Sequence, residues 1–274
     1  VGKTRLMSIL RRKRLGLALG GGGARGLAHI GVLKVLEEEG LKADFVAGTS
    51  VGSLIGALYC CGYAWRELYE LARSTDWHDL VTITVPRLGL VNGRKLERLV
   101  ARLTGGRTLE RLPIPFRAVA VDIAAGEVVV LREGPVSRAV RASSSIPGIF
   151  EPVDWEGRLL VDGGLLDNVP SGVVREMGAE VVVAVNLSGE RVKTRPPENI
   201  LDMMFYSLEV LIHGQGQRGT AAADVPVVPD LSGFSYVSLG RLEEMVERGE
   251  AAMRAALPAL RRRLSRVSPS GRSS

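Results

Sequence analysis

The chain has 274 residues, of which 46% are hydrophobic and 24% charged, a composition typical of one large, soluble α/β domain with a buried core. Its formal net charge of +6 resides at the ends: residues 1–14 and 261–274 carry six and five basic residues and no acidic ones, which leaves 25 basic against 30 acidic residues between them. A slightly acidic body argues against a nucleic-acid partner, and no apolar stretch approaches the roughly 20 residues that span a bilayer.

The basic ends leave two interpretations open. Residues 1–14 and 261–274 either make peripheral contact with an anionic membrane surface or remain solvated tails. The basic cluster at 11–14 follows a short apolar stretch, which is the wrong order for a secretory signal, and we expect a cytoplasmic protein. We predict a basic segment over 1–14, one folded domain over 15–264 and a disordered tail over 265–274.

A glycine-rich loop at residues 20–26 joins a predicted strand over 15–19 to a predicted helix over 27–39. This arrangement commonly binds anions, and its glycines also fit the dinucleotide pattern G-x-G-x-x-G. A dinucleotide site needs an acid near the end of the second strand, where this chain has Gly48. We therefore interpret the loop as an oxyanion hole, in which backbone N–H groups approach a tetrahedral intermediate.

The second strand leads into a serine flanked by two glycines. A short apolar run from Phe45, then Ser50 between Gly48 and Gly52, then helix-forming residues predict a strand, a nucleophile elbow and a helix. The elbow forces the serine backbone into a sparsely allowed conformation, and side chains at either glycine would collide with the neighbouring strand and helix. We predict that Ser50 is a nucleophile. The alternative is a helix entry whose glycines serve packing only.

Residues 63–107 are predicted to be helical, with helices over 65–73 and 94–103 and a turn-rich gap at 86–93. Such an insert can cap a site. His78 lies between Asp76 and Asp79, but a metal site usually needs a second histidine at regular spacing, and we predict no metal.

The next strands are predicted over 116–121 and 127–131, and the three serines in the loop 143–148 lack an elbow and are interpreted as loop hydrogen-bonding residues. A further strand over 158–162 ends in Asp162, whose carboxylate would point into the crevice where α/β folds keep their sites. An ordinary Asp-Gly turn fits the local sequence equally well. Strands over 180–185 and 225–228 and a helix over 239–264, interrupted at Pro258, complete the prediction.

Three motifs in this order, at residues 21–26, 48–52 and 162–164, resemble the patatin-like phospholipase family, in particular its compact bacterial branch. The resemblance implies a three-layer α/β/α fold with a mostly parallel central sheet and the hydrolysis of acyl-lipid esters without a cofactor. It implies Ser50 as nucleophile and Asp162 as its partner in a dyad. The implied oxyanion hole comprises Gly21, Gly22 and Gly23, and the motif-supporting residues are Arg25, Gly26, Gly48, Gly52, Gly163 and Gly164.

The histidines suit a dyad better than a triad. His29 lies in the helix after the glycine loop, and His78 and His213 lie in no motif. An unassisted aspartate is a weak base, so the site must keep Asp162 poorly solvated and within reach of Ser50. The alternative function is a regulatory or adaptor protein that retained the hydrolase fold.

Overall fold

The computed structural model describes residues 12–75, 88–189, 196–234, 236 and 240–265. They form the expected three-layer α/β/α fold, with helices on both faces of a central sheet. The strands are β1 (Leu15–Leu19), β2 (Phe45–Thr49), β3 (Gly89–Val91), β4 (Phe116–Asp122), β5 (Glu127–Leu131), β6 (Gly148–Phe150), β7 (Val153–Trp155), β8 (Arg158–Asp162), β9 (Val181–Val185) and β10 (Val225–Val227). The helices are α1 (Ala28–Glu38), α2 (Val51–Cys61), α3 (Trp65–Ser74), α4 (Arg94–Leu103), α5 (Val136–Ser143), α6 (Ser171–Glu176), α7 (Ile200–Ala221) and α8 (Leu242–Leu264).

The central sheet has the strand order β10-β9-β1-β2-β4-β8-β7, with β5 also paired to β4. The first five strands in this order are parallel, and β5, β8 and β7 are antiparallel to their neighbours. One edge of β4 binds β5, and the other is divided between β2, which pairs with it up to Val119, and β8, which pairs with it from Ala120 onward. Because β2 and β8 run toward each other along this edge, the residues at their ends meet.

The two faces of the sheet are covered by different helices. The larger core cluster joins Leu17 and Leu19 of β1 to apolar side chains of α1, α2 and α8. The smaller cluster joins Ala18 of β1 to Val173 and Val174 of α6 on the other face. Since both faces are buried, the parallel strands are almost continuously apolar rather than alternating.

The closest helix contact is between α1 and α8. A Cβ at Gly31 of α1 would overlap the carbonyl oxygen of Val246, and a Cβ at Gly249 of α8 would overlap that of Ala28, so the two backbones touch. Ion pairs join the helices around this contact: Lys34–Glu250 (2.7 Å), Arg254–Glu38 (2.5 Å) and Arg261–Glu39.

Several predicted elements need correction. Pro258 does not interrupt α8, which continues through it to Leu264. Strand β3 lies in the stretch 86–93 that was predicted as turns, and the loop predicted at 143–148 begins with the last residue of α5. Helix α7 was not predicted at all. Part of the basic N-terminal segment contacts the domain, since Arg12 pairs with Asp44 and Arg14 with Glu180.

Among the described helices, none combines the length and the apolar character that crossing a bilayer requires.

Candidate active site

Ser50 lies at the turn between β2 and α2 with φ 54° and ψ −127°, a left-handed conformation that side chains rarely adopt. The two flanking glycines make this turn sterically possible. A Cβ at Gly48 would overlap the backbone of Gly52, and a Cβ at Gly52 would overlap the carbonyl oxygen of Leu19 at the end of β1. Strain of this kind costs about 1–3 kcal/mol and persists only where surrounding structure fixes it.

Hydrogen bonds from one distant and one neighbouring serine fix the turn. The Ser50 N–H donates to Ser143 Oγ (2.9 Å), and the Ser143 hydroxyl donates to the Val119 carbonyl oxygen (2.6 Å). The Ser53 hydroxyl donates to the Ser50 carbonyl oxygen (2.6 Å). Ser143 is buried at the end of α5, so one hydroxyl ties the elbow to β4. The interpretation of Ser143 as a hydrogen-bonding residue was right, but no local pattern linked it to a residue 93 positions earlier in the chain.

Asp162 reaches Ser50 through the divided edge of β4. Thr49, the residue before Ser50, is the partner of Val119, and Asp162 is the partner of the next residue, Ala120. The residue after Asp162 passes very close to β4: a Cβ at Gly163 would overlap the Val119 carbonyl oxygen, so only glycine fits there. The Gly164 N–H donates to Asp162 Oδ1 (2.8 Å), which orients the carboxylate.

Burial raises the pKa of Asp162 to about 6, while hydrogen bonding by the Ser50 side chain and the Gly164 N–H lowers it by less. Desolvation disfavours the charged carboxylate, and this is the larger effect. A carboxylate with a raised pKa is a stronger base than an ordinary aspartate and remains ionised at neutral pH. The structure therefore brings together a serine in an elbow and a buried carboxylate.

The glycine loop approaches the same point. A Cβ at Gly21 would lie 3.1 Å from Ser50 Cβ, and the Gly21 N–H donates to the Asn168 carbonyl oxygen (3.1 Å). Gly21 is thus engaged elsewhere and does not offer its N–H to a substrate. In the described part of the chain, the N–H groups of Gly22 and Gly23 have no acceptor, which leaves these two glycines as candidate oxyanion donors. The contact of Asn168 with the loop was not predicted from the sequence, because the two lie 147 positions apart in the chain.

Arg25 and Gly26 support the loop from behind. The buried Arg25 guanidinium donates two hydrogen bonds to the Phe234 carbonyl oxygen, one from Nε (2.9 Å) and one from Nη2 (2.7 Å). Its Cζ lies 3.9 Å from the centre of the Tyr236 ring, on which it stacks. Gly26 packs against Val51 so closely that a Cβ there would overlap its side chain. These contacts couple the loop to α2 and to the segment before α8.

The two described histidines are engaged away from Ser50. His29 Nε2 lies 2.8 Å from the Gly20 carbonyl oxygen, and burial lowers the pKa of His29 to about 4. His213 Nδ1 lies 2.8 Å from the Ser188 carbonyl oxygen. His78 and the carboxylates beside it fall outside the described residues. Within the described ranges, no three histidine, cysteine, aspartate or glutamate side chains cluster closely enough to hold a metal ion.

Ser50 and Asp162 open onto a cavity of about 1130 Å³. The glycine loop forms its wall on one side, and the rest of the lining is mostly apolar. Most of its apolar residues come from α2, α3, α4, β6 and α7, among them Leu54, Leu58, Leu68, Leu99, Phe150 and Ile212. The helices α3 and α4 thus cover the site, as expected for the insert at 63–107.

The sequence model of the patatin-like phospholipase family matches residues 17–174. This range contains the glycine loop, the elbow and Asp162, and it covers more than half of the chain. The protein therefore belongs to the patatin-like phospholipase family.

Curated relatives agree with this assignment. An uncharacterized NTE family protein of Mycobacterium tuberculosis is 38% identical over 179 residues, which cover 64% of this chain and 49% of that protein. The human patatin-like phospholipase domain-containing protein 6 is 37% identical over 68% of this chain and 14% of its own length. The neuropathy target esterase sws of Drosophila melanogaster is 32% identical over 90% of this chain and 18% of its own. The chain thus spans about half the length of the mycobacterial relative and less of the others.

A solved structure shares the fold. The crystal structure of VipD from Legionella pneumophila superposes with a TM-score of 0.66 at 13% identity and covers 92% of this chain and 67% of that chain. At this identity the likeness is one of fold alone.

Proposed function

We propose that the protein is a serine hydrolase of acyl-lipid esters that works through a dyad of Ser50 and Asp162. The observation that carries the proposal is the end-to-end meeting of β2 and β8 along β4, which sets the elbow serine against a buried carboxylate at the wall of a large apolar cavity. Membership of the patatin-like phospholipase family supports lipid-ester hydrolysis as the reaction class.

In the first half of the reaction, the Asp162 carboxylate accepts the Ser50 hydroxyl proton while Oγ attacks the ester carbonyl carbon. The oxyanion of the tetrahedral intermediate accepts hydrogen bonds from the candidate N–H groups of Gly22 and Gly23. As the intermediate collapses, the C–O bond to the alcohol breaks and protonated Asp162 returns its proton to the leaving oxygen. The product is an acyl ester on Ser50.

In the second half, Asp162 accepts a proton from water, which attacks the acyl-enzyme carbonyl. Collapse of this second intermediate releases the fatty acid and returns the proton to Ser50 Oγ. One carboxylate therefore serves as base and acid in both halves, for which a pKa near 6 is better suited than the ordinary value of 3.8.

The cavity favours a substrate with a long apolar acyl chain. Its lining along α2 runs from Val51 beside the nucleophile to Leu58, about 11 Å along the helix axis, and continues onto α3 and α4. At about 1130 Å³ it is larger than a typical small-molecule pocket, which holds about 300–1,000 Å³. Phospholipids, lysophospholipids and simple carboxyl esters of fatty acids are the substrate classes that this space admits.

The test is covalent labelling combined with turnover. A fluorophosphonate should modify the wild-type protein on the peptide that contains Ser50, and a series of esters of graded chain length should be hydrolysed, with longer chains preferred. The Ser50→Ala variant should be folded, unlabelled and inactive. Undiminished esterase activity in that variant would refute the proposal.

Controls separate a dyad from a triad and an enzyme from an adaptor. His213→Ala and His29→Gln should retain turnover, because the described contacts of these rings are with backbone carbonyls away from Ser50. A folded histidine variant as inactive as Ser50→Ala would reveal a triad. A wild-type protein that is neither labelled nor active would favour the adaptor function.

A further inference from the structure

One surface of the protein exposes several large apolar side chains on a single helix. On α7, the described side chains exposed between residues 203 and 214 belong to Met203, Met204, Ser207, Val210, Leu211 and Gly214. Met203 is 54% exposed, Leu211 52%, Met204 49% and Val210 46%, and Ile200 at the start of the helix is 76% exposed. Clusters of exposed apolar side chains of this size are uncommon on soluble monomers and mark interaction sites. We call the set Ile200, Met203, Met204, Val210 and Leu211 the α7 patch.

The α7 patch lies on the same helix as part of the cavity wall. Leu208 and Ile212 of α7 line the cavity, and Ile212 packs against the glycine that follows Asp162 and Gly163. Met204 is one helical turn before Leu208, and its Cε would lie 3.6 Å from a Cβ at Gly148 in β6. The next residues of β6, Ile149 and Phe150, line the cavity as well.

The exposed apolar surface continues beyond α7. Strand β3 pairs with β6, with Gly89 beside Gly148. The exposed Leu90 belongs to this small sheet, and the exposed Leu88 directly precedes it. The α7 patch and the small sheet thus belong to elements that also line the cavity. The same elements present apolar side chains to the cavity and to the outside of the protein.

We propose that the α7 patch is the surface by which the enzyme docks on a lipid bilayer, with its apolar side chains inserted at the boundary between headgroups and hydrocarbon. This inference rests on the proposed function, because a substrate with a long acyl chain resides in a lipid phase and must enter the cavity from it. Among the described side chains that are exposed between residues 203 and 214, none is charged, and this composition suits hydrocarbon better than the rim of a protein interface. Methionine side chains adapt to an irregular apolar surface.

The chemistry of this docking differs from attraction by the basic ends. Three of the described arginines there are opposite carboxylates: Arg12 with Asp44, Arg14 with Glu180 and Arg261 with Glu39. Binding through the α7 patch depends on apolar area, so it should occur on uncharged bilayers and change little with salt. Binding through basic residues should require anionic lipid and weaken as salt is added.

The experiment measures co-sedimentation of the full chain with phosphatidylcholine vesicles, using the Ser50→Ala background so that the vesicles are not consumed. Replacing Met203, Met204 and Leu211 together by glutamine should weaken partition at least about tenfold at both low and high salt, because each loses an apolar side chain from the contact. The matched control replaces Ile123 and Val128, which are exposed to a similar degree on the β4–β5 hairpin, by glutamine and should bind like the parent.

A kinetic arm separates this inference from the proposed function. In the Ser50 protein, the triple glutamine variant should hydrolyse a short soluble ester at the parental rate and an ester embedded in vesicles at least about tenfold more slowly. Loss of both activities would indicate damage to the site and overturn the docking role, and absence of both in the parent would refute the proposed function instead.

Three further outcomes would overturn the inference. One is equal vesicle binding by the parent and the triple variant. Another is binding that requires anionic lipid and disappears at high salt, which would assign docking to basic residues. The third is a parent that ignores vesicles but forms a dimer that the triple variant abolishes, which would make a second copy of the chain the occupant of the patch.

Discussion

The contact between α1 and α8 and the edge of β4 where Ser50 meets Asp162 are built on opposite principles. Between α1 and α8 the backbones touch at Gly31 and Gly249, and Lys34, Arg254 and Arg261 are opposite carboxylates. At the edge of β4, a serine is held in a left-handed conformation and a carboxylate is buried against a hydroxyl rather than a cation.

The two regions contribute with opposite sign to the free energy of the folded state. Close packing and paired charges in the first region lower the free energy of the folded state. Strain and a buried carboxylate that hydrogen bonds compensate only in part raise it in the second region, and they persist because the surrounding structure fixes them. Substitutions in the two regions should therefore separate activity from stability.

The largest effect is expected for Asp162→Asn. If Asp162 is the base, removing the carboxylate that contacts Ser50 should lower kcat by about 10⁴-fold or more. The fold should become more stable at neutral pH, because the folded state holds the Asp162 pKa at about 6 against 3.8 for the free side chain. The ionised carboxylate therefore costs stability above about pH 6, by up to about 3 kcal/mol, and this cost disappears below about pH 4.

Denaturant unfolding at pH 7 and pH 4, together with turnover, checks both parts of this prediction. Asp167→Asn is the matched control, because burial also raises the pKa of Asp167 to about 6 but its carboxylate is not a partner of Ser50 in the described contacts. It should retain turnover. A less stable Asp162→Asn at pH 7 would contradict the contrast between the two regions.

The second prediction concerns the pH dependence of the rate. If ionised Asp162 is the base, kcat/KM for a neutral soluble ester should be constant above about pH 6 and fall about tenfold per unit below it, to about one hundredth at pH 4. A stopped assay that allows for loss of folded protein measures this. If kcat/KM instead falls only around the ordinary pKa of aspartate, burial does not raise the pKa of Asp162.

The third prediction tests the stabilising region. Gly31→Ala places a methyl group against the Val246 carbonyl oxygen and should lower the free energy of unfolding by about 1–3 kcal/mol while turnover by the folded fraction is unchanged. Gly172→Ala in α6, where a Cβ has open space, should be neutral or slightly stabilising. Thermal melts and active-site titration compare the two, and equal melting temperatures would show that the α1–α8 contact tolerates a methyl group.

The smallest effect is expected for Ser143→Ala. The substitution leaves the buried Ser50 N–H without its acceptor, which should relax the elbow and lower kcat about tenfold. Ser145→Ala removes a hydroxyl that lies within hydrogen-bond distance of two carbonyl oxygens, those of Arg141 (3.0 Å) and Glu151 (3.1 Å), to one of which it donates, and it should have no comparable effect on kcat. Identical rates for the two variants would mean that the elbow holds its conformation without Ser143.

Local sequence was sufficient for the elements whose geometry is local. The strand, elbow and helix around Ser50 follow from two glycines and a change from apolar strand to helix-forming residues, and the boundaries of β1 and α4 are as predicted. The divided edge of β4 was not predictable, because it depends on the register of three strands far apart in the chain. The same holds for the contacts of Ser143 and for the engagement of Gly21 by Asn168.

Helix α7 was missed for a different physical reason. A surface helix is recognised by apolar residues recurring on one face, and α7 has apolar residues both against the cavity and on its exposed side. The departure from amphipathic periodicity that hides this helix is the same property that makes its surface a docking candidate.

The contact of Arg25 with Phe234 also limits how the domain can be divided by evolution or by design. Residues 17–174 contain every motif by which the family is identified, yet the buried guanidinium in the first of them is held by a carbonyl oxygen 209 positions later. β1 likewise needs β9 as its neighbour. A fragment that keeps the motifs but ends before Phe234 would contain the Ser50 and Asp162 side chains and leave the buried Arg25 guanidinium without its acceptor. The whole sheet and the segment up to α8 are therefore needed together.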